Sequence, residues 1–522
     1  MLIIFGAVAA WFFAAGFNDT GRINLIADAE ALLATGRREV TERLFRDAIE
    51  ADPTDVKAYI GLKECSVPVP IPTSRVTPLS AFGVASGGPQ FNVIIISIDT
   101  LRVDRLYCYG NERATSPTID EFVKKAVFFE NAASQAPSTA PSHMSIFTGL
   151  MPDVHLIRNY GDGGLVGGGL SPSIRTLAQI FREHGYCTAG IHGGGNVWDG
   201  LGFNRGFDYY VSNFRIRDLA PGKLPIAVNN WLRKSRREGC PLFLFLHHFY
   251  CHEPYVHGTA EYRRSFLSNP DPSLPDSPDD VPEDGAIIAF RERLDLSRPD
   301  HLEHTIALYD GGVAYSDFLF AELIQLMKLE GFYENSLIVL LSDHGEEFNG
   351  HGDRGHGRLY AEHLNVPLII KFPGGAFSGM RISRPVRLVD LMPTVLDYAG
   401  ISVGSEIQGV SFLGLLRGEA GYNPPIVSFS NDLRHLRLVS HGYAYTQEGG
   451  DERLFAIATD LGEERDISTI QPLVLGEMRK IARTLKAEKK KYLHLFSGRS
   501  SSVGSSGSPE LARDLRALGY MN

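Results

Sequence analysis

The chain is poor in the features that most quickly betray a protein's class. Only five of its 522 residues are cysteines, and Cys65, Cys108, Cys187, Cys240 and Cys251 have no C-x-x-C spacing. They show neither a zinc ribbon nor a disulfide framework, and an odd count leaves at least one thiol free, so cysteine usage does not define a redox compartment. There is no long basic run, and the formal net charge is −10, which argues against nucleic acid as a partner. Charged residues make up only 21% against 43% hydrophobic, a balance that excludes a largely disordered chain. Met1 to Phe17 carries no charged side chain. As a helix it would be about 25 Å long, slightly short of a bilayer core of about 30 Å. It also lacks the basic n-region of a standard signal. It reads as a signal peptide or membrane anchor, with a buried helix as the plainer alternative. The expectation is export to a periplasmic or other extracytoplasmic space, with attachment to the membrane through Met1–Phe17.

What is present suggests several segments, because the length exceeds one ordinary core. Residues 1–22 hold the apolar stretch. Residues 23–65 read as helical, with Ala27, Ala31 and Leu32 before Gly36, and Leu44, Phe45, Ala48 and Ile49 before Asp52-Pro53. Gly36, Phe45, Ala48 and Pro53 have the spacing of a tetratricopeptide repeat, a protein-binding element. A single repeat cannot bury its own face, so a plain helical hairpin fits equally well. Residues 66–90, rich in Pro, Ser and Gly, read as a linker. From residue 91 to 400 the texture is that of a large α/β domain. Continuous apolar runs at Phe91–Ile98, Leu242–Leu246, Leu337–Leu341 and Val366–Phe372 alternate with helical patterns such as Ser173–His184 and Phe318–Glu330. Such runs are strands buried on both faces of a mostly parallel sheet flanked by helices. Residues 401–490 have short alternating segments, expected as a small antiparallel lobe. Residues 491–522 combine a low-complexity tail with a helix-like stretch, Pro509–Tyr520.

In a parallel sheet, ligands sit beyond the carboxyl ends of the strands. Asp99 follows the first apolar run, and Ser342-Asp343-His344-Gly345-Glu346 follows the third. Carboxylates there are placed for function, because burying them inside the strand would be costly. Asp99, Asp343 and His344 together offer a mixed oxygen and nitrogen set suited to Mn or Zn, with Ca or Mg as lesser alternatives. Between them lies Ser138-Thr139-Ala140-Pro141-Ser142-His143, with Pro141 suited to the first turn of a helix that stops at Gly149. A hydroxyl at a helix start either caps the helix or sits in an oxyanion site.

Taken in order, these blocks resemble the sulfatase family of the alkaline phosphatase superfamily over residues 91–470. They are N-V-I-I-I-S-I-D-T-L-R-V-D at 92–104, T-A-P-S-H-M-S-I-F-T-G-L at 139–150 and H-H-F-Y-C-H-E-P-Y at 247–255. L-S-D-H-G-E at 341–346, G-H-G with N-V-P-L-I-I-K-F-P-G over 355–374, and V-D-L-M-P-T-V-L at 389–396 follow. The resemblance implies an alkaline-phosphatase-like sheet and a metal-dependent ester hydrolase. It puts the metal ligands on Asp99, Asp343 and His344 and the nucleophile on Thr139, whose hydroxyl also meets the metal. His252 matches a histidine near the leaving group. His356 stands where many sulfatases have a substrate-binding lysine, and His143 stands in place of the arginine that supports the nucleophile. His247 either lines the site or is a satisfied core histidine. His351, in a Gly-rich turn with Asp353, binds substrate or a second cation, which leaves the number of metals open. His155 and Asn159 match positions common in relatives with a threonine nucleophile.

The departures decide the expected chemistry. Sulfatases make formylglycine from the Cys or Ser of C/S-x-P-x-R, and here the motif reads Thr139-x-Pro141-x-His143. A second acidic ligand usually follows the first, and here Thr100 follows Asp99. Ile191-His192-Gly193-Gly194-Gly195-Asn196 replaces a lysine-and-histidine element. The set is similar to phosphodiesterases and phosphoglycerol or phosphoethanolamine transferases. A threonine hydroxyl with its pKa lowered by a cation can attack phosphorus, whereas a threonine sulfate ester lacks the elimination route that formylglycine provides. The leading expectation is therefore hydrolysis or transfer of phosphate esters or diesters on a small-molecule, glycan or lipid substrate. The alternatives are a sulfatase without formylglycine and an inactive binding protein.

Overall fold

The computed structural model describes residues 91–159, 169–194, 196–212, 223–235, 239–268, 270–282, 286–404 and 406–496. The apolar N-terminal stretch, the repeat-like segment, the linker and the C-terminal helix-like stretch lie outside them. Among the described residues no helix is long and apolar enough to cross a membrane. The chain falls into two compact units. The smaller one contains, among the described residues, the helical segments 223–234 and 321–329. Everything below concerns the larger unit.

Its main sheet is built from β1 (Asn92–Ile98), β2 (Val127–Ala133), β3 (Cys187–His192), β4 (Tyr209–Ser212), β5 (Leu242–His248) and β6 (Ser336–Leu341). After a two-residue hairpin, β7 (Glu347–Phe348) and β8 (Arg354–Gly355), the sheet is completed by β9 (Asn365–Lys371), β10 (Arg381–Ile382) and β11 (Val386–Arg387). The nine strands run β10-β2-β9-β6-β1-β5-β3-β4, with β11 also on β2. The four predicted runs are all strands, and each is buried on both faces except at Asn365. Most pairs are parallel, but β9 runs antiparallel to both β2 and β6. The apolar run could not reveal this: a strand buried on both faces reads the same in either direction.

The lobe is a four-stranded antiparallel sheet: β12 (Ile426–Phe429), β13 (Leu436–Ser440), β14 (Tyr443–Glu448) and β15 (Asp451–Ala456). The helix Pro472–Glu488 covers it, with Leu475, Met478 and Ala482 packed against Leu438, Tyr445 and Leu454. The Phe429 N–H donates to the Gln135 carbonyl (2.8 Å), and the Ser428 hydroxyl to the Ser134 carbonyl (2.6 Å). The lobe is thereby fastened to the segment leading into the Thr139 helix.

One expectation is corrected. Cys187 and Cys240 form a disulfide, with Cα atoms 5.9 Å apart. Their separation of 53 residues gives no local signal. Cys187 opens β3, which pairs with β5 in the register Cys187 to Leu242, and that pairing brings Cys240 alongside.

Candidate active site

β1 and β6 are parallel neighbours with Ser97 beside Leu341, so the residues two positions further on, Asp99 and Asp343, emerge side by side. The turn after β1 is strained: Thr100 has φ of 59° although it is β-branched. Its hydroxyl donates back to the Asp99 carbonyl at 2.7 Å, and so turns away from the carboxylates. Ser342 joins the two turns, accepting from the Leu101 N–H (2.9 Å) and donating to the His344 carbonyl (2.7 Å). Gly345 is required by close approach, because a Cβ there would lie 1.9 Å from the Glu362 carbonyl oxygen.

The third element is the helix Thr139–Thr148, every residue of which is buried. Gly149 ends it in the left-handed conformation (φ 65°). Ser138 makes no capping bond to the helix. Asn159 does so instead: its Oδ1 accepts from the Ala140 N–H at 2.9 Å. The Ser142 hydroxyl donates to the Asp343 carbonyl at 2.7 Å, which locks the helix to the β6 turn. His155 accepts the Ile157 N–H at Nδ1 and turns Nε2 toward the Pro141 carbonyl, 3.2 Å away.

Thr139 therefore projects into the cluster. Its Oγ1 lies 3.4 Å from Asp99 Oδ2 and 3.3 Å from His344 Nε2. His344 Nε2 is 3.5 Å from both Asp99 Oδ1 and Asp343 Oδ2. Its Nδ1 donates to the Gly345 carbonyl at 2.9 Å, which fixes the tautomer and leaves the Nε2 lone pair facing the carboxylates. Asp99 Oδ1 and both carboxylate oxygens of Asp343 are buried with no hydrogen-bond partner. The Asp343 carboxyl is pushed well above its usual range by burial and then by Asp99. Burial raises Asp99 too, but the His247 hydrogen bond and the neighbouring His344 and His252 bring it below the ordinary carboxylate range. His344 is driven down to about 3 by burial and by His356. Two unsatisfied buried carboxylates beside a bare imidazole nitrogen fit a divalent cation, which would complete the site.

His143 and His247 stand behind this cluster. The His143 Nδ1 donates to the Thr139 carbonyl (2.9 Å), so its Nε2 accepts from the Ser97 hydroxyl (2.9 Å). It is fully buried and held neutral, with its pKa lowered to about 3 by burial and by His247. The His247 Nδ1 accepts from the Gly193 N–H, and its Nε2 donates to Asp99 Oδ2 at 3.2 Å. His143 was expected in the place of the arginine beside the nucleophile and His247 either as a residue lining the site or as a satisfied core histidine; the ring nitrogens of both meet protein partners, among them the Thr139 carbonyl and Asp99. His356 and His252 lie beside His344: the ring centroids of His344 and His356 are 4.5 Å apart, and those of His252 and His356 5.0 Å. The His252 Nδ1 donates to the Glu253 carbonyl (2.7 Å), and His356 Nδ1 to Glu346 Oε1 (3.0 Å).

His351 is placed elsewhere. It pairs with Glu362 (2.6 Å), reaches the Gly462 carbonyl (2.8 Å) and stacks on Tyr360. Nearby, Glu347, Glu362 and His363 form a second group of potential ligands. Protein donors already occupy Glu347, which accepts from the His351 and Asp353 N–H groups and from His363 Nε2. Sequence reasoning gave no role to Ser97, Ser142, Ser342 and Glu346, although the last three lie inside the motifs it singled out and Ser97 stands as a lone hydroxyl within an apolar run.

The sulfatase family model matches residues 91–401. The iduronate 2-sulfatase of Mus musculus is 25% identical over 396 residues, covering 61% of this chain and 70% of that protein. The delta 4,5-hexuronate-2-O-sulfatase of Bacteroides thetaiotaomicron is 24% identical over 412 residues, covering 72% and 84% respectively. Among solved structures, the phosphonate monoester hydrolase of Agrobacterium radiobacter shares the fold with a TM-score of 0.62 at 18% identity, over 77% of this chain and 96% of that one.

Proposed function

The chain belongs to the sulfatase family, whose members are metal-dependent hydrolases of ester bonds, and we propose that it uses unmodified Thr139 as nucleophile on phosphate esters or diesters. The observation that carries the reading is the Thr139 hydroxyl itself, at the first residue of a helix and within 3.4 Å of Asp99 and His344. A threonine cannot become formylglycine, and the arginine of the sulfatase motif is His143, which here is neutral and committed to Ser97 and the Thr139 carbonyl.

A divalent cation would be held by Asp99, Asp343, His344 and Thr139 Oγ1, with Mn or Zn favoured by the donor set. When bound there it would supply Lewis acidity and lower the pKa of the hydroxyl. His143 and the Asn159 cap aim Thr139. The Thr139 hydroxyl gives up its proton to solvent, its Oγ–phosphorus bond forms as the ester P–O bond breaks, and His252 gives a proton to the leaving oxygen. His356, whose Nδ1–H is taken by Glu346, holds a non-bridging oxygen through Nε2 when that nitrogen is protonated as well. Water, or an acceptor alcohol, then releases the phosphoryl group from Thr139.

A second reading, direct hydrolysis of sulfate esters, is favoured by the names of the curated relatives. Paired aryl sulfates, phosphate monoesters and phosphodiesters with added Mn or Zn separate the two. Trapping with a phosphate monoester should add a phosphate mass to the peptide containing Thr139, and trapping with a phosphodiester should add the mass of the phosphate together with the alcohol that it retains. Thr139→Ala should abolish turnover while metal binding persists, and Thr139→Ser should keep part of the activity. Near-normal turnover by Thr139→Ala would reduce Thr139 to a helix residue and overturn the proposal.

A further inference from the structure

The turn that carries His252 is not held by its own hydrogen bonds alone. The His252 N–H donates to the Phe249 carbonyl (2.9 Å) and the Tyr255 N–H to the His252 carbonyl (3.1 Å), and the turn ends on Tyr255 at a φ of 60°. A bulky residue keeps that left-handed conformation only where its surroundings impose it. Part of those surroundings is the helix Ala286–Glu292, which the ester chemistry above does not use. Phe290 packs edge-on against Tyr255, with ring centroids 5.8 Å apart. Arg291 grips the buried Glu253: its Nε donates to both carboxylate oxygens (3.1 and 3.0 Å), and its Nη2 donates to Oε2 at 2.6 Å. Burial pushes the Glu253 carboxyl up, and Arg291 is the cation that opposes this.

The same helix end reaches the second histidine of the site. A Cβ on Gly355 would lie 2.5 Å from Arg291 Nη2, so the strand leading into His356 passes against the guanidinium. Arg354, on that strand, donates from Nη2 to the carbonyls of Arg291 (2.6 Å) and Leu294 (3.1 Å). Glu253 and Gly355 adjoin His252 and His356, whose ring centroids are 5.0 Å apart.

We infer that Arg291 is a positioning residue that aims the His252 imidazole at the leaving group, acting through Glu253. The His252 Nδ1–H donates to the carbonyl of Glu253 itself at 2.7 Å. The residue whose side chain Arg291 holds is therefore the one whose carbonyl sets the tautomer and tilt of the ring, and Nε2 is left as the nitrogen that meets the leaving oxygen. A guanidinium fork fixes direction as well as distance, which an ammonium does not. A displacement of about 1 Å at a reacting group lowers a rate by roughly a hundredfold. The inference rests on the reading of His252 as proton donor; neither the identity of the ester nor the role of Thr139 enters.

Arg291→Gln alone would leave the buried Glu253 carboxylate without its cation, so the test uses the full-length protein carrying Glu253→Gln together with Arg291→Gln, with Tm as the check on folding. Arg291→Lys, which keeps the charge but not the fork, is the companion variant. The ratio of turnover on an activated aryl phosphoester to turnover on an alkyl phosphoester should rise by about tenfold in the double variant and in the same direction in Arg291→Lys. Added to His252→Ala, the same substitutions should raise it no further, because an effect carried by His252 has nothing left to act on. A merely structural ion pair would slow both substrates alike in either background. The ring is read directly by NMR of isotope-labelled histidine at about pH 9, where an ordinary imidazole is neutral. The His252 signals, identified by their loss in His252→Ala, should show the proton on Nδ1 in the wild type and a mixture of tautomers in the variants. A tautomer unchanged in both variants would overturn the inference, as would an unchanged substrate ratio in both where His252→Ala itself raises it. If His252→Ala slows both substrates alike while the tautomer still changes, the proton-donor reading fails and the positioning of His252 by Arg291 stands.

Discussion

Asn159→Ala tests how Thr139 is held. Asn159 is buried, and its Oδ1 is the acceptor for the Ala140 N–H at 2.9 Å, while no cap comes from Ser138. Loss of an N-cap acceptor costs about 0.5–2 kcal/mol, and a buried N–H left unpaired costs about 1–3 kcal/mol. These describe the same bond, so the expected loss of stability is about 1–3 kcal/mol in total. The unpaired group is the amide next to Thr139, so the helix start should shift. A displacement of about 1 Å at a reacting group lowers the rate by roughly a hundredfold. Asn159→Asp keeps an acceptor and places a negative charge at a helix N-terminus, which is favourable. Its stability should return to near wild type, whereas turnover of an anionic ester should stay low because the new carboxylate repels it. Urea unfolding followed by circular dichroism and steady-state turnover of an aryl phosphoester measure both quantities. Asn159→Ala with stability within about 0.5 kcal/mol of wild type and normal turnover would refute the idea that Asn159 holds the helix; a cap's loss cannot be that small.

In metal-free protein the buried Asp99 and Asp343 oppose each other, so Asp343→Ala should be no less stable than wild type in chelator. Added Mn or Zn at about 100 times its Kd should stabilise wild type by about 2.7 kcal/mol and the variant hardly at all; equal metal-induced shifts in Tm would remove Asp343 from the site. His252→Ala should slow esters with poor leaving groups by roughly a hundredfold and spare activated aryl esters, and equal slowing of both would assign the proton transfer elsewhere. His192 and His257 are buried with pKa values lowered to about 3, chiefly by burial. The unfolded chain takes up these protons near the ordinary histidine value of 6.5 while the folded chain refuses them. Stability is therefore complete above that pH and falls on acidification, by up to about 1.4 kcal/mol per pH unit for each histidine. Urea midpoints from pH 7 to pH 4 should show this decline, and His257→Phe should flatten it; a midpoint independent of pH would contradict it.

Much of the site was legible in the chain itself, because its chemistry lies at strand ends and strand ends are local. Asn92–Ile98 and Ser336–Leu341 announce themselves as continuous apolar runs, and Asp99, Asp343 and His344 are the first ionisable residues beyond them. The replacement of a modifiable residue by Thr139 is likewise a property of sequence alone. What only the tertiary structure decided are relations between residues far apart in the chain. The antiparallel direction of β9, the Cys187–Cys240 bridge and the pairing of Asn431 with Ser138 and Asn159 all arise from which elements become neighbours. The histidines show the limit most clearly. His143, His247, His351 and His356 are chemically equivalent in the sequence. Packing turns the first two toward Ser97, Thr139 and Asp99, ties His351 to Glu362, and leaves His356 beside His344. An imidazole's role is set by what its two nitrogens meet, and those partners come from other strands and turns.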